Sequence, residues 1–244
     1  EMCIRDRCGI VGFTGNRQAA PILLDGLSKL EYRGYDSAGL AVRDGDALAQ
    51  VVKAKGRLSN LVEKTDNGNA LKGTCGIGHT RWATHGEPSQ TNAHPHVSGN
   101  CTRSGSGTVE SEVVGVHNGI IENYTVLRAE LENKGYIFRS NTDTEVIVYL
   151  VEYIMRTNQV DLCTGVQLAL HQVIGAYAIA LMDKSNPNEI IAARKSSPLV
   201  VGIGMDEFFL ASDATPIVEY TDKVVYLNDE EIAVIRRGEP LKVV

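Results

Sequence analysis

The chain has 244 residues, with 24 lysines and arginines against 30 aspartates and glutamates, a formal net charge of −6. Hydrophobic residues make up 43% and charged residues 22%, a globular balance that excludes a disordered tail and allows one large domain or two small ones. The acidic excess argues against nucleic acid as a partner, because phosphate binding needs a basic face. No apolar run approaches the ~20 residues that cross a bilayer, and residues 1–7 lack the apolar core of a secretory signal. Five scattered cysteines, at positions 3, 8, 75, 101 and 163, make a poor disulfide framework. They point to a reducing cytoplasm in which an important cysteine acts as a thiol.

In chain order, residues 8–15 read as a short apolar strand ended by glycine. Ala20, Leu23, Leu24, Leu27 and Leu30 recur at helical spacing and predict a helix over 17–31, with Pro21 in its first turn. Strands are expected at 38–43, 48–54 and 74–80, and the Gly/Ser/Thr-rich residues 98–112 read as an exposed loop. Val113, Val114 and Val116 start a strand that runs into His117-Asn118-Gly119. Helices are predicted near 123–134, 142–157 and 161–171, with Thr142 as N-cap and Glu145 at capping-box spacing. From 175 onward the pattern turns to strands, at 176–183, 189–194, 199–203, 207–211, 223–227 and 231–236. Helices bunched between two strand-rich portions favour an α+β fold with largely antiparallel sheets. No Pro/Gly linker divides the chain, which predicts one domain.

Four polar clusters can carry chemistry. Cys8 opens the first strand beside Gly9, where a thiol can reach an acyl carbon; alone, such a cysteine is more often a small core residue. Residues 78–86 (GHTRWATHG) pack the chain's only tryptophan with two histidines, an arginine and two threonines. Arg81 can fork onto a carboxylate, and Trp82 is a flat lid residue. Asn118 and Gly119 can supply a side-chain amide and a close-approaching backbone N–H for an oxyanion, although Asn-Gly is more often a turn. Asp143 can take an ammonium, although helix capping explains Thr142-Asp143-Thr144-Glu145 equally well.

His79, His85, His94, His96, Cys75 and Cys101 are possible metal ligands, but no C-x-x-C, H-E-x-x-H or paired zinc-type spacing joins them. Metal binding is not expected. Gly202-Ile203-Gly204 lacks the third glycine and the Lys-Ser/Thr of a phosphate loop. Asn100 and Asn123 stand in glycosylation sequons without an export signal to make them relevant.

Together, CGIVG (8–12), LEYRGYDSAG (30–39), GHTRWATHGEP (78–88), HPH (94–96), HNGIIENY (117–124) and TDTE (142–145) resemble the class II glutamine amidotransferases. The likeness is greatest to the glutaminase domains of the glucosamine-6-phosphate synthase family, and it covers residues 8–244. It extends to AARKSSPLVVGIG and FFLASDA near 192–214. The resemblance implies an N-terminal-nucleophile fold, a four-layer αββα sandwich of two mostly antiparallel sheets. It implies Cys8 as nucleophile and Asn118 and Gly119 as the oxyanion hole. Arg81 would hold the glutamine α-carboxylate, with Thr84 and His85 assisting. Asp143 would hold the α-ammonium, Trp82 would close over the ligand, and Arg33 would help order the pocket. No cofactor and no metal are expected. The implied partners are L-glutamine and a C-terminal sugar-phosphate isomerase domain, in a cytoplasmic enzyme that is a homodimer when full-length, without nucleic acid or membrane.

The zwitterion supports this reading: its recognition needs one cation and one anion, which Arg81 and Asp143 supply. Two departures from the family pattern stand out. The family's cysteine is N-terminal, and its α-amine, with a pKa near 7.7–8.0, serves as base; here residues 1–7 precede Cys8, so either Arg7–Cys8 is cleaved, as propeptides are in some class members, or the seven residues are a foreign extension, the reading favoured because they match nothing in the family. The 98–112 segment is longer than in typical bacterial members. The chain also stops near the end of the family's glutaminase half, so the isomerase half is expected to be absent and ammonia to be the product. The alternatives are the glutaminase domain of another class II amidotransferase, an N-terminal-nucleophile acylase for a different amide, or a catalytically silent glutamine-binding domain.

Overall fold

Strand β1 (Gly9–Thr14) is buried at every position because both of its faces are covered. Val11 and Phe13 pack with Leu23 and Leu27 of helix α1 (Ala19–Leu30), whereas Ile10 joins a separate core between two stacked sheets. Side chains alternate across a strand, so one buried on both faces reads as an unbroken apolar run. The computed structural model describes residues 8–82, 86–99 and 112–244. The expectations placed on residues 1–7, Thr84, His85, Cys101 and most of the 98–112 loop lie outside them.

The first sheet has seven strands, in the order β11 (Val224–Tyr226), β9 (Val200–Ile203), β10 (Phe208–Ala211), β1, β4 (Cys75–Arg81), β2 (Ser37–Arg43) and β3 (Gln50–Lys55). The second has six: β13 (Lys242–Val243), β12 (Ile232–Arg236), β8 (Glu189–Lys195), β7 (Gly175–Asp183), β6 (Val113–Ile121) and β5 (His96–Val97). Neighbouring strands in both sheets pair antiparallel. Helices α1 and α2 (Leu58–Lys64) cover the outer face of the first sheet. Helices α3 (Tyr124–Asn133), α4 (Asp143–Asn158) and α5 (Leu162–Leu170) cover the second. Between the sheets, Ile10 and Ile77 meet Val114, Val116, Ala178 and Ala192. This is the αββα order expected from the resemblance. Each fully buried leucine of α1, such as Leu27 or Leu30, contributes about 1.5–3 kcal/mol.

The predicted elements fall within a few residues of the observed ones. Helix α2 and strands β5 and β13 were not anticipated. They are short, and α2 buries only Leu58 and Leu61, too few apolar positions to show a period. The capping box at α4 is half formed. Thr142 accepts the Glu145 N–H at 3.4 Å, but the Glu145 carboxylate turns back to the N–H groups of Arg139 and Ser140.

Candidate active site

Five chain segments meet at one end of the sheets and line a narrow cleft, with Cys8, Arg81, Trp82, Gly119 and Asp143 on its wall. The register pairs Gly9 with Thr80, so Cys8, one residue earlier, falls beside Arg81 at the end of β4. The Cys8 sulfur accepts the Trp82 N–H at 3.2 Å, and its S–H donates to the Trp82 carbonyl at 3.5 Å. No carboxylate or imidazole among the described residues hydrogen-bonds the sulfur. Burial pushes the Cys8 thiol pKa up, and the Trp82 N–H and the Arg81 charge offset only part of that rise. The resting group is therefore a thiol at neutral pH, and attack needs a separate proton acceptor.

Asn118 and Gly119 lie inside β6, opposite Ala178 and Tyr177, and not in a turn. Gly119 has φ +120°, and a Cβ there would stand 2.1 Å from the Ala176 carbonyl oxygen, so only glycine fits. Asn118 Nδ2 donates to the Cys8 carbonyl at 3.0 Å, and its Oδ1 faces His79 Nε2 at 2.9 Å. An amide donor thus stands against the backbone of the cysteine.

Arg81 is only 3% exposed. Its Nη2 donates to the Gly86 carbonyl at 3.1 Å and its Nη1 to that of Glu87 at 3.5 Å. Burial pulls its pKa down, while Cys8, Asp36 and Asp143 raise it; an arginine remains a cation all the same. Behind it, a Cβ on Gly34 would lie 2.7 Å from the Arg81 carbonyl carbon. The Asp36 N–H donates to the Arg81 carbonyl at 3.1 Å, and Tyr35 meets the Trp82 ring edge-on at 5.2 Å. The segment around Gly34 therefore braces residues 81 and 82. Arg33 sits in this brace and not on the cleft wall: it pairs with Asp213 at 2.8 Å and donates from Nε to the Tyr32 hydroxyl at 3.0 Å.

Asp143 opens α4 directly after its N-cap. Its Oδ2 accepts the Ile121 N–H of β6 at 2.9 Å, and its Oδ1 is 3.9 Å from His117 Nδ1. The strand that carries Asn118 and Gly119 thereby also orients the carboxylate. Anion, cation and thiol share one cleft, with the Asn118 amide against the cysteine beside it, a set suited to a zwitterion with an amide at its far end.

The histidines weighed as metal ligands take another part. His94 Nε2 and His117 Nδ1 share the Thr144 hydroxyl at 2.7 and 3.1 Å, and His96 Nε2 bonds the Thr142 hydroxyl at 3.0 Å. His79 stacks on His94 with ring centroids 4.1 Å apart. Burial holds the pKa of His79 down to about 3 and those of His94 and His96 well below the ordinary range. These rings are neutral at neutral pH. Sequence reasoning missed Thr144 and His117 as wall residues and gave His79 no role beyond metal. The available signal for His79 was its i, i+2 relation to Arg81, which puts both on one face of β4. Thr84 and His85 lie outside the described residues.

Known proteins resemble the chain along nearly its whole length. A family model described as a glutamine amidotransferase domain matches residues 106–219. A glutamine–fructose-6-phosphate aminotransferase (isomerizing) of Bacteroides thetaiotaomicron is 62% identical over 237 residues, 97% of this chain and 37% of that protein. Its counterpart in Chlorobaculum tepidum is 51% identical, over 94% of this chain and 36% of its own length. The chain thus spans little more than a third of the length of these relatives. Among solved structures, a glutamine phosphoribosylpyrophosphate amidotransferase from B. subtilis superposes with a TM-score of 0.80 at 27% identity, covering 97% of this chain and 49% of that one. Two stacked antiparallel sheets, a cysteine at the mouth of the first strand and these likenesses converge: the chain carries a glutamine amidotransferase domain.

Proposed function

We propose that this chain hydrolyses the side-chain amide of L-glutamine to glutamate and ammonia through a thioester on Cys8. The reading rests above all on the convergence of Cys8, Arg81, Gly119 and Asp143 on one cleft, with Asn118 beside the cysteine. The Cys8 sulfur attacks the amide carbon, the C–N bond breaks, and ammonia leaves with the proton taken from the thiol. Water then attacks the thioester carbon, releasing glutamate and returning the proton to sulfur. Asn118 Nδ2 and the Gly119 N–H hold the oxyanion in both steps. Arg81 takes the α-carboxylate with Thr84 and His85 beside it, Asp143 takes the α-ammonium, and Trp82 covers the ligand. Arg33 acts through the brace behind Arg81.

The base in this reading is the α-amine of Cys8 in a chain that begins there. The sulfur's described hydrogen-bond partners are backbone groups of Trp82, which supports a base supplied by the residue itself. In a longer protein, the ammonia would convert fructose 6-phosphate to glucosamine 6-phosphate on a C-terminal sugar-phosphate isomerase domain, in a cytoplasmic homodimer. The 62% identity to a glutamine–fructose-6-phosphate aminotransferase supports that acceptor over phosphoribosyl pyrophosphate, where the likeness is 27%. Among the described residues no helix is long and apolar enough to cross a membrane. The test is equimolar glutamate and ammonia from glutamine by the form beginning at Cys8. Absence of both products sinks the hydrolysis, and a full-length protein that aminates phosphoribosyl pyrophosphate instead sinks the acceptor.

A further inference from the structure

We propose that His79 is a positioning residue: it donates from Nε2 to Asn118 Oδ1 and so keeps the Asn118 Nδ2 aimed at the reacting cysteine. The inference rests on the glutaminase reading for its kinetic consequences and on hydrogen-bond logic for its geometry. Asn118 faces the Cys8 carbonyl at 3.0 Å and His79 Nε2 at 2.9 Å. A carbonyl only accepts, so the amide must present Nδ2 to Cys8. Turned over, it would set two acceptor oxygens 3.0 Å apart. Its Oδ1 therefore faces His79, and the neutral imidazole must carry its proton on Nε2.

The ring is built to hold this state. His79 is fully buried in the middle of the first sheet, stacked on His94, and Thr144 ties His94 to His117, the residue before Asn118. Its Nδ1 forms no hydrogen bond among the described residues, and beside the nearby His117 backbone the Asn118 bond is the ring's one side-chain anchor. The donor matters because an amide can turn over about its last bond, and the Cys8 carbonyl alone biases it in the resting site. Asn118 Nδ2 carries two hydrogens: one meets the Cys8 carbonyl, and the other is the donor free for the substrate oxygen when the oxyanion forms. The Oδ1 bond to His79 fixes the plane of the amide and with it the direction of that second hydrogen. Because the ring stays neutral, it acts by direction and not by proton transfer.

The experiment compares His79→Phe, which keeps a stacking ring and loses the donor, with His79→Gln, whose amide nitrogen reaches the place of Nε2. Each is assayed for glutamine hydrolysis as the full chain and as the form trimmed to Cys8. His79→Phe should lower kcat by about 10- to 100-fold, the scale of a misplaced group, with KM within about threefold. His79→Gln should run about tenfold faster than His79→Phe, and the pH profile should keep its wild-type shape. Equal losses in the two variants, a rise in KM matching the loss in kcat, or a shifted pH profile would each overturn the proposal. Nitrogen-15 spectra of the full wild-type chain, with the His79 ring assigned by its loss in His79→Gln, supply an arm that needs no activity. A proton on Nε2 supports the assignment, and a proton on Nδ1 overturns it, even if the wild type releases no glutamate and the glutaminase reading itself fails.

Discussion

The Trp82 backbone N–H lies 3.2 Å from the Cys8 sulfur, although 74 residues separate the two along the chain. The antiparallel pairing of β1 with β4 creates this contact, and the same strand end delivers Arg81. The thiol of Cys8 and the buried guanidinium of Arg81 are therefore brought together by one register. A slip by one residue would turn Cys8 or Arg81 to the wrong face.

Cys8→Ala should abolish ammonia release while leaving glutamine binding within about tenfold, because the proposed reading assigns the ligand to Arg81 and Asp143 and the chemistry to the sulfur. Calorimetric titration with glutamine and a glutamate assay on the same preparation separate the two effects. Substantial turnover by the alanine variant would mean that another group is the nucleophile.

Arg81→Lys should weaken glutamine binding by roughly 1–3 kcal/mol. Lysine keeps the charge but loses the fork, and it also gives up the bonds to the Gly86 and Glu87 carbonyls that tie down the neighbouring segment. The loss should appear mainly in KM. An unchanged KM would move the carboxylate site elsewhere.

Asn118→Ala should depress kcat by ~10²–10³ with little change in ground-state binding, since an oxyanion donor is worth most when the charge forms. A defect confined to binding would leave Asn118 as a structural partner of the Cys8 carbonyl and nothing more.

The 244-residue chain with residues 1–7 attached should be nearly inactive as a glutaminase although folded. Its Cys8 nitrogen is then an amide and accepts no proton, while the described hydrogen bonds of the sulfur offer no side-chain base. The form trimmed to Cys8, verified by mass, should recover activity. Equal rates from both forms would rule out the α-amine as base.

Acid should destabilise the fold well before the carboxylates titrate. His79, with a pKa near 3, and His94 and His96, held well below the ordinary range, stay neutral when folded but take up protons near pH 6.5 when unfolded. The unfolded state then binds more protons, so stability rises with pH through this window and is lost as pH falls from about 6.5 toward 3. Each histidine contributes roughly 1.4 kcal/mol per pH unit there, and the three together roughly 4 kcal/mol between pH 7 and 5.5. Urea unfolding at stepped pH measures this slope, which should fall by about a third in His79→Phe. A flat profile from pH 7 to 5 would show that the rings titrate normally in the folded protein.

Most of the fold was legible in the sequence because local pattern and tertiary burial agree. The α1 leucines, the run through β1 and the apolar runs after 175 each state how many faces are covered, and strand and helix follow from that count. Motif likeness brought Cys8, Arg81, Asn118, Gly119 and Asp143 together as a set; Cys8, Arg81, Gly119 and Asp143 line one cleft, and Asn118 bonds the Cys8 carbonyl beside it. What local pattern could not decide was anything that depends on two segments meeting. Asn118-Gly119 has the composition of a turn, yet pairing with β7 draws it into a strand, and the φ of +120° together with the Ala176 carbonyl 2.1 Å from a would-be Cβ explains the glycine. Arg33 has the same chemistry as Arg81, but the first turns to Asp213 and the second to the cleft. Composition makes His79, His94 and His96 possible metal ligands, although their spacing already speaks against a metal. Their burial among Thr142, Thr144 and Asn118 makes them neutral hydrogen-bonding walls instead, because desolvation and partner geometry are properties of the packed interior and not of the residue type.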